Sequence, residues 1–207
     1  AIAAILDEFD AQGTALPVMI SATITDRSGR TLSGQTLDAF YISIQHLRPF
    51  SVGLNCAFGA RQMRPYIAEL ARVAGEYVSC HPNAGLPNAF GEYDEPPEET
   101  ARLLKDFAAS GYVNIIGGCC GTTPEHIRAI RDAVDGMPAR RRPQGSGPRA
   151  QIEERFTQYA GLESLTIRPD STLIVIGERT NVSGSKRFAS MIADGRYSDA
   201  ASVALEQ

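Results

Sequence analysis

Three cysteines carry the chemistry that this sequence offers. Cys119 and Cys120 stand side by side in Gly117-Gly118-Cys119-Cys120-Gly121-Thr122, directly after the apolar run Val113-Asn114-Ile115-Ile116. Successive side chains on a regular strand point to opposite faces, so two neighbouring sulfurs reach one point only where the backbone leaves β geometry. The flanking glycines permit that departure. Cys56 ends a second short apolar run, Phe50 to Asn55, and is followed by Phe58-Gly59. Three thiolates delivered from two strand ends suit a Zn²⁺ ion, which is four-coordinate and holds sulfur at about 2.3 Å. They leave one position open, the layout of a catalytic site and not of a closed structural one. Taken alone, the Cys-Cys pair also reads as two small buried apolar residues or as a disulfide between neighbours.

The elements that must position these sulfurs follow from hydrophobic spacing. Ile2, Ile5, Leu6 and Phe9 form a helical stripe. Residues 16–24 read as a buried strand that ends in Thr25-Asp26 and a polar loop with Gly29, Gly34 and Gln35. Phe40, Ile44 and Leu47 mark a helix, 50–55 a strand, and Met63, Ile67, Leu70 and Ala74 the next helix. Strand 76–80 runs into His81-Pro82-Asn83-Ala84-Gly85-Leu86-Pro87, too rich in turn residues for regular structure. An acidic stretch, Glu92 to Glu99, leads to a helix that turns Leu103, Leu104, Phe107 and Ala108 inward. After the Cys-Cys strand, Thr123 and Pro124 suit the N-cap and first position of a helix whose buried face is Ile127, Ile130 and Val134. Strand and helix thus alternate at about thirty residues per unit, which implies a parallel sheet with helices outside it. Every polar or cysteine-bearing motif follows a strand, at the carboxyl end where such folds carry their sites.

From Gly136 to Arg149 the composition turns to linker: Pro138, Arg140-Arg141-Arg142, Pro143 and Gly145-Ser146-Gly147-Pro148. Three arginines in such a stretch are expected to serve solubility. A further apolar strand, Leu173-Ile174-Val175-Ile176, then opens a second α/β domain. The expected organisation is a first domain over 1–136, a linker over 137–170, and the start of another domain over 171–207.

With 20 Lys and Arg against 24 Asp and Glu, the net charge of −4 gives no electrostatic case for nucleic acid or an anionic membrane. There is no apolar run of about eighteen residues and no signal-peptide pattern. Four cysteines in 207 residues do not suggest a disulfide scaffold. A cytoplasmic protein is expected, its thiols serving metal or catalysis. The chain starts at Ala1 inside one helical pattern and stops at Gln207 inside another, which leads us to expect a piece of a longer protein.

Three segments together, Gly53-Leu54-Asn55-Cys56, His81 to Pro87 and Gly117 to Thr122, resemble the homocysteine-binding domain of cobalamin-dependent methionine synthases. Ile176-Gly177-Glu178-Arg179-Thr180-Asn181-Val182-Ser183-Gly184-Ser185 resembles the first strand and loop of the folate-binding domain that follows it in those enzymes. The resemblance implies the second half of a (βα)₈ TIM barrel, a linker, and the first βα unit of a second TIM barrel. It implies Cys56, Cys119 and Cys120 as zinc ligands and Asn83 as the residue that takes the fourth position when homocysteine is absent. It implies Glu178 and Asn181 as folate contacts, methyltetrahydrofolate as methyl donor, and methylcobalamin carried by a domain outside this chain.

The remaining candidates have plainer roles. Cys80 reads as a packed thiol and His81 as a residue that orders its loop, although either could close a structural zinc site in a non-enzymatic module. His46 and His126 fall on helices, away from ligand spacing. Thr23, Thr25 and Asp26 stand at a strand end where they line a pocket or make a turn. The nearest enzymatic rival is a zinc-dependent homocysteine methyltransferase that uses betaine or S-methylmethionine and needs no second domain.

Overall fold

The computed structural model describes residues 2–14, 16–25, 28–141, 156–174 and 180–206. They fall into two compact units, Ala1–Ile167 and Arg168–Gln207.

The first unit is built on four parallel strands lying side by side in chain order: β1 (Met19–Ala22), β2 (Ser51–Gly59), β3 (Tyr77–Asn83) and β4 (Ile115–Ile116). Ile20 pairs with Val52, Val52 with Val78, and Ser79 with Ile115. The connections are helical, as parallel strands require: α2 (Leu37–Ile44, extended by a 3-10 turn to Leu47), α3 (Ala60–Val73) and α4 (Pro97–Ala109). α5 (Pro124–Val134) follows β4. Parallel strands in sequential order with helical crossovers form an α/β sheet compatible with part of a βα barrel. α1 (Ile2–Ala11) precedes them, with Ile2 and Ile5 still about half exposed.

Alternation along the strands divides the sheet into two unlike faces. Val52, Leu54, Val78 and Cys80 join Leu37, Tyr41, Met63, Ile67, Leu70, Leu104, Phe107 and Ile130 in one apolar core beneath the helices. Burial there pushes the Tyr41 hydroxyl up to about 12. The alternate residues Ser51, Gly53, Asn55, Ser79 and His81 are small or polar. Gly53 is required on that face: a Cβ there would meet Ser79 Oγ at 1.9 Å and the Ser79 carbonyl oxygen at 2.3 Å.

The helices fall where the apolar spacing puts them, with one difference. Ile127, expected on the buried face of α5, is 47% exposed, and His126 is buried instead. Ile127 borders a groove shared with Val113, Ile116, Ile130 and Val134 along the outer edge of β4, so its stripe lies beside an open strand edge.

Two parts of the stretch expected as linker have structure. Arg140 is 5% exposed; its guanidinium donates to the carbonyls of Ala71 (2.7 Å), Ala74 (2.6 Å) and Glu76 (3.0 Å) at the end of α3. Residues Thr157–Ala160 (β5) and Ser164–Ile167 (β6) form an antiparallel hairpin. Thr36 donates its N–H to the Leu162 carbonyl at 2.9 Å, Arg30 pairs with Glu163, and Ser164 bonds Asp38. Desolvation raises Asp38, but the hydrogen bonds from Ser164 and Thr36 outweigh it and hold the carboxyl below its ordinary value.

The second unit contains α6 (Lys186–Ala193) and α7 (Tyr197–Leu205), packed through Met191, Ala200 and Val203. Ser185 caps α6, accepting the Phe188 N–H at 3.2 Å. Leu173, expected to open a buried strand, is 92% exposed, and residues 171–174 form no regular element. A strand needs partners for its N–H and C=O groups, and none is offered among the described residues of this unit. The other half of that expected strand, Val175 and Ile176, lies outside the described residues.

Candidate metal centre

The carboxyl end of β2 is bent. The β2–β3 register shifts between Asn55 and Gly59, and Cys56 and Ala57 both have φ +58°. Left-handed backbone costs a residue with a Cβ roughly 1–2 kcal/mol, and such strain gathers at functional sites. Pairing on both sides holds it: Asn55 lies opposite His81 and Gly59 opposite Asn83. Gly59 is packed so closely on Gly85 that a Cβ would meet the Gly85 Cα at 2.7 Å. The bend swings the Cys56 sulfur toward the end of β4.

There the strand stops at Ile116 and the chain turns, with Gly121 at φ +77°. The departure from β geometry expected at the Cys-Cys pair is thus present. The turn is tied to the end of β3 by backbone hydrogen bonds. Gly117 N–H donates to the Cys80 carbonyl at 3.1 Å, Cys119 N–H to Pro82 at 2.8 Å, and Ala84 N–H to Cys120 at 2.9 Å. Asn83, 2% exposed, accepts the Cys120 N–H on its amide oxygen at 3.1 Å.

The sulfurs of Cys56, Cys119 and Cys120 all lie within 4.8 Å of one another. Cys56 and Cys119 are joined as a disulfide, with Cα atoms 5.7 Å apart, so the bond runs across the strands and not between neighbours. Cys120 is an exposed thiol whose sulfur lies 4.0 Å from each of the other two. Four sulfurs at about 2.3 Å from a tetrahedral ion are spaced about 3.8 Å apart. The Cys120 spacings fit that figure; the third pair reaches it only when reduced. The donor set therefore suits a thiophilic metal in the dithiol form.

Cys80 and His81, the other candidates near this point, do not join the group of three. Cys80 is fully buried on the helix side, where its thiol donates to Met63 Sδ at 3.4 Å and burial pushes its pKa up. A side chain at Gly117 would meet the His81 ring at 2.6 Å, and burial pushes the His81 imidazole below its ordinary value, favouring the neutral form. His126 completes the N-terminal cap of α5: Nδ1 accepts the Thr123 N–H at 3.2 Å and Nε2 donates to the Glu95 carbonyl at 2.9 Å. Thr25 closes its own turn on the Arg30 carbonyl. Asp26 and Glu178 lie outside the described residues. Asn181 is exposed and builds a turn, its side-chain oxygen accepting the N–H groups of Ser183 (2.8 Å) and Gly184 (3.3 Å).

Sequence spacing missed Tyr93, which lies in the acidic stretch before α4. Its hydroxyl accepts from Asn83 Nδ2 at 3.5 Å, and its Cβ lies against Gly121, next to Cys120. Desolvation, followed by the neighbouring Cys120 sulfur, raises the phenol above its ordinary pKa.

An α/β unit with three convergent cysteines at the carboxyl ends of parallel strands is the class of structure in hand. A family model described as Homocysteine S-methyltransferase matches residues 1–134, which include all four parallel strands, all three clustered cysteines and α5 to its last residue. The chain belongs to the homocysteine S-methyltransferase family, whose reaction is methyl transfer to the sulfur of homocysteine. Among the described residues no helix is long and apolar enough to cross a membrane.

Proposed function

We propose that this chain supplies the second half of the homocysteine-binding barrel, and the opening of the folate-binding domain, of a cobalamin-dependent methionine synthase. The observation that carries the reading is the convergence of the Cys56, Cys119 and Cys120 sulfurs within 4.8 Å at the ends of β2 and β4. In the reduced protein these three would hold zinc. Zinc bound there supplies a Lewis acid that keeps a thiol ligand deprotonated near neutral pH, where a free thiol is only a few per cent thiolate.

The protein's own residues do the positioning. The left-handed pair Cys56-Ala57 and the turn at Gly121 aim the sulfurs. The Cys120 N–H holds the buried Asn83 oxygen beside them, and that oxygen keeps a second lone pair. Asn83 thereby suits the role of fourth ligand in the absence of homocysteine. With substrate present, the homocysteine sulfur attacks a methyl carbon; a C–S bond forms, and the pair of the broken bond stays with the donor.

Methylcobalamin, carried by another domain, is the donor we infer, with methyltetrahydrofolate as the source that restores it. What supports this is the resemblance of residues 176–185 to the start of a folate-binding domain, with Glu178 and Asn181 as the pterin partners. On this reading residues 1–136 belong to the first barrel, 137–170 connect, and 171–207 open the second. The test is a donor assay with full-length protein and isotope-labelled methyl groups. Labelled methionine from methylcobalamin, and from methyltetrahydrofolate once cobalamin is present, supports the assignment. Label arriving from betaine or S-methylmethionine alone overturns it.

A further inference from the structure

The β5–β6 hairpin lies in the stretch expected to connect two domains, yet its attachments gather on the β1–α2 segment of the first. The loop between β1 and α2 leaves the sheet just after Ala22, which is paired with Leu54, so it starts at the level of Asn55 and Cys56. At its base, Ser21 Oγ donates to Asn55 Oδ1 at 2.7 Å. The loop closes on itself through an Ile24–Thr31 bridge and a bond from the Thr25 N–H to the Arg30 carbonyl at 2.9 Å. Arg30 is its anchor. The guanidinium donates to the Gly34 carbonyl inside the loop at 2.8 Å and pairs with Glu163 of the hairpin. Alongside, Gln35 Nε2 donates to the Gly161 carbonyl at 3.1 Å, the Thr36 N–H to Leu162 at 2.9 Å, and Ser164 to Asp38.

The anchored loop bears on the cysteine centre through two rings. Gly29, next to Arg30, has φ +78° and no room for a side chain: a Cβ there would meet Tyr66 Cε1 at 2.8 Å. The loop backbone therefore lies directly on that ring. The ring in turn stacks on Phe58, with centroids 6.2 Å apart and planes 13° from parallel. Phe58 follows the left-handed pair Cys56-Ala57, and Gly59 beyond it is pressed on Gly85. No glycine relieves that pair, so its conformation is held from outside. Pairing with β3 supplies one support, and the stack of Phe58 on Tyr66 supplies the other.

We propose that the β5–β6 hairpin positions the cysteine centre: by pinning Arg30 it presses Gly29 onto Tyr66, whose ring on Phe58 holds the bend that aims the Cys56 sulfur. The consequence for metal binding rests on the zinc reading given above; the link from hairpin to bend does not. A hairpin that merely covers its own loop would leave residues 56–58 as they are when it is released.

The experiment uses reduced, full-length protein and the double substitution Glu163→Lys with Ser164→Ala, which removes both side-chain attachments on an exposed surface. The Thr36 amide is expected to exchange about tenfold faster, the effect of one lost hydrogen bond and one like-charge contact. In metal-free protein labelled with ¹³C-methyl alanine, the Ala57 methyl resonance shifts while that of Ala133 on α5 stays in place. Glu163→Gln alone, which keeps an acceptor for the guanidinium, retains the wild-type Ala57 resonance. In a Tyr66→Leu background the double substitution no longer moves Ala57, because the connecting ring is gone. Zinc titrated against a competing chelator binds about tenfold more weakly to the double variant, the cost of setting one left-handed residue. Faster Thr36 exchange with a wild-type Ala57 resonance overturns the proposal, and unchanged Thr36 exchange overturns it too, since the hairpin is then not held by these contacts. If the wild-type protein takes up no zinc, the zinc reading fails by itself, and the Ala57 resonance still decides whether the hairpin sets the bend.

Discussion

Replacing Arg140 with alanine is expected to destabilise the first unit by about 3–5 kcal/mol, the range for stranding the partners of a buried charged group. The guanidinium is 5% exposed and donates to three carbonyls at 2.6–3.0 Å. The Ala71 and Ala74 carbonyls belong to the end of α3, where unsatisfied C=O groups and the negative end of the helix dipole both favour a cation. Hydrogen bonds from a charged donor contribute about 1.5–3 kcal/mol each, so three would sum to roughly 4.5–9. Water reaching the vacated carbonyls, and about 2 kcal/mol of side-chain entropy released with the arginine, bring the expectation down. Guanidinium titrations followed by circular dichroism measure it, with Arg141→Ala as the exposed control expected within about 0.5 kcal/mol of wild type. Arg140→Lys should fall between the two, because one ammonium cannot span three carbonyls. A loss below about 1 kcal/mol for Arg140→Ala would refute the reasoning and mean that water substitutes fully for the guanidinium.

Serine at Cys56, Cys119 or Cys120 should each abolish zinc binding and methyl transfer, measured by metal analysis of reduced protein. Serine at the fully buried Cys80 should keep the zinc and lower stability by about 1–3 kcal/mol, since a hydroxyl enters an apolar site beside Met63. Equal zinc loss from all four would favour a closed four-cysteine site. Acid should loosen the β5–β6 hairpin: Asp38 sits below its ordinary 3.8 in the folded state. Its contribution is therefore present above that value and lost as pH falls through the lower folded one. Faster exchange of the Thr36 amide, which bonds Leu162, would report this loosening below pH 3.8, and no change there would contradict it. Glu178→Ala and Asn181→Ala should weaken methyltetrahydrofolate binding by about 1–3 kcal/mol each, read by calorimetry, while methionine formation from preformed methylcobalamin survives.

The parts of the fold legible in the sequence are those set by apolar period. Met63, Ile67 and Leu70, or Leu103, Leu104 and Phe107, name their helices because one stripe must face the sheet. Cys56, Cys119 and Cys120 were legible for a related reason: each follows a strand, and parallel strands deliver their ends to one rim. What stayed hidden depends on distant partners. Cys56 and Ala57 take left-handed backbone with no glycine to announce it, held only by pairing with β3. Arg140 stands in a run of arginines between prolines, and only the carbonyls of α3 distinguish it from its neighbours. Glu163 meets Arg30 across 133 residues, so the hairpin reads as polar linker until its dock is seen. Tyr93 lies in an acidic loop, and its proximity to Cys120 follows from the anchoring of Glu95.

The central claim is that Cys56, Cys119 and Cys120 hold a zinc ion that receives the homocysteine sulfur. Zinc-edge X-ray absorption on reduced, full-length protein tests it most directly. Without substrate the account predicts three sulfurs and one oxygen or nitrogen, the latter altered in Asn83→Ala. With saturating L-homocysteine it predicts four sulfurs at about 2.3 Å and release of one proton near neutral pH. A site that keeps the same ligands with and without homocysteine would contradict the claim and leave a structural metal.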